Sequence, residues 1–352
     1  MTAEERRKWI GVLLDKVLTI HEQGKHYVHM EIANYEEGEL ISVYVMENGF
    51  EENKKYNLSK TCLTDFEPEE LYQVADYLDS LIEGRGGIRM KKYELTEETF
   101  TVFGKTLYRI RAVRDFGSVK TGEFGGYIEK EENLSHFGDA WVYGNAKVYG
   151  DARVSGNALV YGNAKVSGDA RVSGDARVFG NAWVYGEARV SGNAWAYGEV
   201  QVAGNAWVYG NARVFGNAWV YGDARVSENA WVYGDARVSG DARVFDNAWV
   251  YGNAKVYGDA RVSGNAWVYG NAEVFNTRHF FVQGPIGSRD GYVTFYRTKD
   301  DTVEVRCGCF SGSLQEFVNQ VEETHGGSRY EKEYKLAAEL AKVCIRLEGE
   351  SR

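Results

Sequence analysis

Histidines and cysteines are the residues of this chain best suited to do chemistry. The six histidines are His21, His26, His29, His136, His279 and His325, and the four cysteines are Cys62, Cys307, Cys309 and Cys344. Cys307-Gly308-Cys309 followed by His325 is the one grouping with metal-ligand character. Zinc prefers wider cysteine pairs and a complete tetrahedral set, and no fourth ligand is evident here. Alternation along a strand puts both thiols on one side, so the expectation is a packed thiol pair and no metal. Gly284-Pro285-Ile286-Gly287 continues through Ser288, Arg289 and Asp290 to Gly291, but it leads into a strand-like run and not a helix, which makes it a weak phosphate cradle. Between residues 138 and 275 there is no histidine. A general base within reach of substrate is the first need of acid-base catalysis, so the expectation is no catalytic residue and no cofactor.

What would position any site is a repeat. Residues 138–275 run as 23 units of Gly-Asn/Asp-Ala-x-Val-x without insertion or deletion. A unit this short cannot bury its own apolar face and must stack on its neighbours as a solenoid. Ala140 and Val142 stand two apart, so in an extended segment both point inward while the intervening residues point out. Gly and Asn/Asp then form the corner, where a positive φ is tolerated. At steps of eighteen the residue after Val reads Tyr143, Tyr161, Phe179, Tyr197, Phe215, Tyr233, Tyr251 and Tyr269, aromatic every time. A second series is mixed (Tyr149, Ser167, Tyr185, Ala203, Tyr221, Ser239, Tyr257, Phe275) and a third is mostly Ser beside Arg153, Arg171, Arg189, Trp207, Arg225, Arg243 and Arg261. Three units therefore make one coil, giving about eight coils. Ala196 stands where Val belongs and Val200 where Ala belongs, which keeps core volume approximately constant. Glu228 and Asp246 replace the corner Gly and are expected at strained bends.

The three faces differ. On the first, Trp195, Trp231, Trp249 and Trp267 stand beside Tyr233, Tyr251 and Tyr269. If exposed, that stripe exceeds what a monomer tolerates, so it is expected to serve as an oligomer or ligand face unless its rings cover one another. On the third, Asp151, Asp169, Glu187, Asp223, Asp241 and Asp259 alternate with the arginines, as on a solvated structural face. The repeat carries 12 basic and 13 acidic residues, which disfavours direct nucleic-acid binding.

A triangular eighteen-residue coil of this kind resembles the left-handed parallel β-helix of the hexapeptide-repeat acyltransferase superfamily, and the resemblance implies the handedness. Acyltransferases of that superfamily use a histidine between coils, and the related γ-class carbonic anhydrases bind zinc through histidines on the coils. Neither feature occurs here. The segment Leu107-Tyr108-Arg109-Ile110-Arg111, then Gly125-Gly126-Tyr127-Ile128, followed by the repeat, is similar to the YdcK-like family of bacterial and phage-associated hexapeptide-repeat proteins. Gly126, Ile128 and Leu134 fall in register with the later units, so this segment is expected to enter the first coil and cap it.

The fold expected is mainly β: a left-handed parallel β-helix of about eight coils, an α/β N-terminal domain and an α+β C-terminal cap. The expected domains are 1–88 (helix 3–22, strands 27–32 and 40–45, helix 65–81), an N-terminal cap 89–137, the solenoid 138–275 and a capping domain 276–352. That last domain is read as strands 279–283, 292–298 and 302–307 and helices 313–324 and 330–347. Net charge is −10, and residues 1–88 hold 18 acidic against 9 basic side chains. Such a surface suits a basic protein partner, with Glu67, Glu69, Glu70, Asp76 and Asp79 as the contact candidates. Charges break up any secretory core near the start, no long apolar run occurs, and four cysteines do not make a disulfide framework, so the expectation is a cytoplasmic protein without a membrane anchor. The functional expectation is a non-catalytic binding or assembly protein, a dimer or trimer, phage-associated and directed at a host defence protein. The alternatives are a hexapeptide-repeat acyltransferase and a carbohydrate-binding solenoid.

Overall fold

The computed structural model describes residues 3–35, 38–46, 58–63, 74, 78, 81, 91–136 and 138–347. They form two compact units, one of Met1–Leu95, Arg111–Glu123 and Ser135–Ala140, the other of Thr96–Ile110, Phe124–Leu134 and Trp141–Arg352. In the first unit, helix Ala3–Gln23 precedes strands Tyr27–Tyr35 and Gly38–Met46, paired antiparallel from Tyr27↔Met46 to Tyr35↔Gly38. A third strand, Leu58–Leu63, pairs with the second and was not expected; its centre, Ser59-Lys60-Thr61, offers no apolar alternation to read. Leu13, Val17 and Ile20 on one helix stripe pack with Val28, Ile41, Val43 and Val45, and with the helical Val74, Leu78 and Leu81. The rest of the expected second helix and the glycine-rich stretch 83–87 lie outside the described residues.

The same unit buries one lysine completely. Lys92 donates through Nζ to the carbonyls of Gly138 (3.2 Å) and Ala140 (2.7 Å) and lies 4.8 Å from the Phe116 ring centre. Its backbone N–H donates to His136 Nδ1, whose ring stacks on Tyr93 at 4.3 Å. His136 is thus fixed as a packing residue with an acceptor nitrogen already used.

The repeat forms three stacks of parallel strands, eight, eight and seven in number, and three strands from before the repeat extend the second stack to an eleven-stranded sheet. Every strand pairs with the one eighteen residues on, as in Trp141↔Leu159, Lys147↔Lys165 and Arg153↔Arg171. Each outward residue donates its N–H to the next coil, for example Trp141 to Ala158 at 3.0 Å and Tyr143 to Val160 at 2.8 Å. The alanines and valines are fully buried, and Ala196 and Val200 exchange places without leaving the core. Glu228 (φ 57) and Asp246 (φ 58) hold the left-handed corner that glycine holds elsewhere. Asp246 Oδ2 accepts from the N–H of Gly264 at 2.8 Å, and a hydrogen bond between the two carboxyl groups raises the Glu228 pKa, so these corners are tied as well as strained.

Other chain segments follow the repeat's second stack of strands at both ends. At the start, Phe124–Ile128 pairs as Tyr127↔Lys147 and Ile128↔Val148, and Leu134 bridges Val154 in the seven-stranded sheet; the segment enters the first coil as expected, but two residues out of the expected register, with Ile128 and Leu134 beside valines and not beside Ala146 and Ala152. Outside it come Lys105–Ala112 and Tyr93–Val102. At the other end a four-stranded antiparallel sheet, Phe280–Ile286, Gly291–Arg297, Val303–Cys307 and Phe310–Ser313, carries helices Leu314–His325 and Arg329–Cys344. The fourth strand is an addition to the sequence reading, and the last helix stops at Cys344 before the expected 347. Ser313 and Glu316 make a reciprocal capping box that starts the first of these helices. Val293, Phe295, Val305, Phe317, Val321 and Ala338 form this module's core. No helix among the described residues is long and apolar enough to cross a membrane.

Candidate binding surface

The first face is a ladder of rings. Tyr161, Phe179, Tyr197, Phe215, Tyr233 and Tyr251 stack coil on coil with centres 4.6–5.1 Å apart and planes within 4°. Tyr269 continues the column at 4.7 Å, tilted by 38°. Trp231, Trp249 and Trp267 stack at 4.9 and 5.3 Å, and Arg213 is sandwiched between Trp195 (5.0 Å) and Trp231 (5.1 Å). All of the aromatic residues singled out on this face are half-buried. Burial among its neighbours pushes Tyr233 up to about 12. Each ring is therefore covered by the next, and the column stabilises the solenoid through its own contacts.

The exposed aromatics stand elsewhere. Apart from Tyr292, every exposed aromatic residue among those described belongs to the eleven-stranded sheet or its end hairpin: Phe100, Phe103, Phe124, Trp219 and Tyr221. Cations lie over rings along the same sheet, Arg109 on Phe124 (5.0 Å), Lys147 on Phe100 (4.4 Å), Lys165 on Trp183 (5.5 Å) and Arg237 on Trp219 (5.2 Å). Burial first, and then neighbouring Lys165, lowers the pKa of Lys147. A cleft of about 420 Å³ opens midway along the sheet, with Ala203 at its floor and Tyr185, Gln201, Trp219 and Tyr221 around it. Sequence reading passed over it because the second series was sorted by what its residues are, and the cleft arises where two outward side chains are smaller than those above and below.

The third face keeps its charges in solvent: Lys130 pairs with Asp151 at 2.6 Å, and Arg189 and Arg225 lie over Trp207 at 4.9 and 5.2 Å. Corner asparagines form ladders, Asn193 donating to Asn211 (3.1 Å), Asn211 to Asn229 (3.1 Å) and Asn229 to Asn247 (3.2 Å).

The remaining candidates are dispersed. Cys307 ends a strand, Gly308 turns at φ 56 and Cys309 is exposed, so the two thiols occupy a hairpin turn and not a shared core face, a correction to the strand-based reading. Burial raises the Cys307 pKa, while His325 stacks on Tyr334 at 5.6 Å. Among the described residues no group of three or more His, Cys, Asp or Glu is placed to hold a metal ion. Glu67, Glu69, Glu70, Asp76 and Asp79 lie outside the described residues.

His279 joins the last coil to the cap. Its Nδ1 accepts from the Phe275 N–H at 3.4 Å, its Nε2 lies 2.9 Å from Asn276 Nδ2, and its carbonyl accepts from the Arg297 N–H at 2.8 Å. Burial, then the Arg297 charge, lowers its pKa to about 4. A depressed folded-state value means full stability above the unfolded value near 6.5, with loss as pH falls toward 4. The slope is about 1.4 kcal/mol per pH unit and roughly 3 kcal/mol in all. Urea midpoints measured between pH 7 and 4 should show this slope, and His279→Gln should flatten it.

The repeat matches the YdcK Beta solenoid repeat over residues 152–168, 170–186, 206–222, 218–234, 236–253 and 254–270. No curated protein matches the chain. Over those residues the solenoid is similar to the YdcK repeat, an architecture suited to scaffolding or binding.

Proposed function

We propose that this YdcK-like solenoid protein is a non-catalytic binding scaffold that presents an acidic domain to a basic protein partner. The observation that carries the reading is the charge of residues 1–88, 18 acidic against 9 basic, set against a repeat of nearly balanced charge. Unbroken coils without a histidine support a structural role for the repeat, which lacks the histidine base that hexapeptide-repeat acyltransferases use. If the chain is phage-encoded, the partner is a host defence protein whose basic nucleic-acid surface the acidic residues Glu67, Glu69, Glu70, Asp76 and Asp79 block. Self-association as a dimer or trimer through the solenoid would raise avidity for such a partner.

The test is capture from host lysate by the full chain beside a version starting at Met90, each also sized by light scattering. A basic protein retained by the full chain alone, and released by salt or by charge reversal at the five acidic positions, is the expected result. A complex indifferent to both would sink the proposal.

A further inference from the structure

The cleft on the eleven-stranded sheet sits at the centre of an ordered series. Successive coils present Lys165 with Ser167, Trp183 with Tyr185, Gln201 with Ala203, Trp219 with Tyr221, and Arg237 with Ser239. From the centre outward in both directions the order is ring-free coil, Trp-Tyr pair, cation with serine. The two other ring-free coils are already covered: Trp183 Nε1 donates to Ser167 Oγ at 3.1 Å, Lys165 drapes over Trp183 and Arg237 over Trp219. At the central coil, Ala203 supplies a methyl group and Gln201 an amide.

Strand spacing fixes what fits. Coils about 4.8 Å apart set the residues of the flanking coils about 10 Å apart, which leaves room for one interposed ring and no more. The first-face column shows the filled version of such a position, rings following one another at 4.6–5.1 Å. We propose that the coil of Gln201 and Ala203 is a binding slot for one flat heteroaromatic ring bearing an anionic group, that is, a nucleoside phosphate. Tyr185 on one side and the Trp219-Tyr221 pair on the other supply stacking surface, as aromatic side chains do for unstacked bases. Tyr185 Oη donates to Gln201 Oε1 at 3.1 Å, so the Gln201 amide N–H₂ is turned toward other acceptors, such as those on a base edge. Lys165 and Arg237, which lie over Trp183 and Trp219 two coils from the slot, are the long cationic side chains available to a phosphate extending from the ring in either direction. A benzene ring has no acceptor for the amide, and a neutral sugar makes no use of the cations. Near charge balance over the whole repeat restricts recognition to this slot and makes no polyanion track.

The slot is independent of the acidic partner site, and its test is separate. Full-length protein is titrated calorimetrically with adenosine monophosphate, adenosine, ribose 5-phosphate, maltotriose and a five-nucleotide single strand. Saturable binding of the monophosphate is expected, with adenosine weaker and ribose 5-phosphate and maltotriose inert. Ala203→Phe, which supplies the missing ring from within, and Trp219→Ala, which removes a wall, should each weaken binding at least tenfold. Melting curves matching wild type establish that both variants are folded. Tighter, salt-sensitive binding of the five-nucleotide strand assigns the base to a nucleic-acid end, and equal or weaker binding assigns it to a free nucleotide. No saturable binding of the monophosphate, binding of maltotriose in its place, or wild-type affinity in both variants overturns the proposal.

Discussion

Gly174→Val is expected to destabilise the solenoid by about 3–5 kcal/mol, while Gly264→Val in the same corner column costs about 1–2 kcal/mol. Both glycines hold the left-handed conformation, φ 65 and φ 66, so a branched side chain pays the same local strain at either. They differ in what a Cβ would meet. At Gly174 it would stand 2.9 Å from the N and 3.1 Å from the O of Gly192 on the next coil, whereas at Gly264 nothing lies within 4 Å. The Gly192 atoms are backbone held in the ladder, where the Asn157 N–H donates to Gly174 O and the Asn193 N–H to Gly210 O, and they cannot swing aside. Glu228 and Asp246 occupy the same column with coils beyond them, but they are unbranched at Cβ and their carboxyl groups are tied to each other and to the Gly264 N–H, which a valine cannot reproduce. Urea unfolding of the two variants beside wild type decides the matter: equal losses would show that the coil-to-coil contact contributes nothing.

Removing residues 277–352 is expected to make the protein self-associate without limit. The ladder runs in one direction, each coil's outward N–H groups donating to the following coil, so the last coil is left with donors and no successor. In the intact chain the cap satisfies this edge. Trp267 N–H donates to Thr294 Oγ1 at 3.0 Å, Ala272 bridges Thr298, and Lys299 N–H donates to Asn271 O at 3.2 Å. Arg306 lies over Trp267 and Tyr269, the last rings of the first face. Truncation bares the edge and the final Trp-Tyr pair together, and an unpaired flat edge is a template for other chains. Light scattering of the truncated protein should give masses that grow with concentration. A monodisperse protein of one chain's mass would refute the capping role.

The repeat was legible because its inside and outside obey different periods. Inward Ala and Val recur at six, while the aromatic series after Val recurs at eighteen, and the pairings Phe179↔Tyr197 and Tyr197↔Phe215 lie on that second period. The matched exchange of Ala196 and Val200 was legible for the same reason, since a core of fixed width constrains volume. What escaped reading depends on neighbours across the fold. Nothing in Trp231 or Tyr233 says whether a ring lies on solvent or on the next ring. Cys307 and Cys309 read as one face of a strand until Gly308 is seen to turn between them. Ala203 carries no signal in its own identity; only the Tyr185 and Tyr221 coils on either side make it the floor of a cleft.

The asparagine and aromatic ladders have a further consequence. Because all units but those of Ala196 and Val200 present the same Ala and Val to the interior, the core is nearly blind to which unit stacks on which. A slip of one unit would bury the same methyl groups, yet it would move Trp231 from Trp249 to Arg243 or Lys255 and Asn229 away from Asn247. The exterior thus acts as an address code that selects one alignment among otherwise isoenergetic ones during folding. The same code quantises length, since coils can be gained or lost by duplication only in whole sets of three units if the outer columns are to stay continuous.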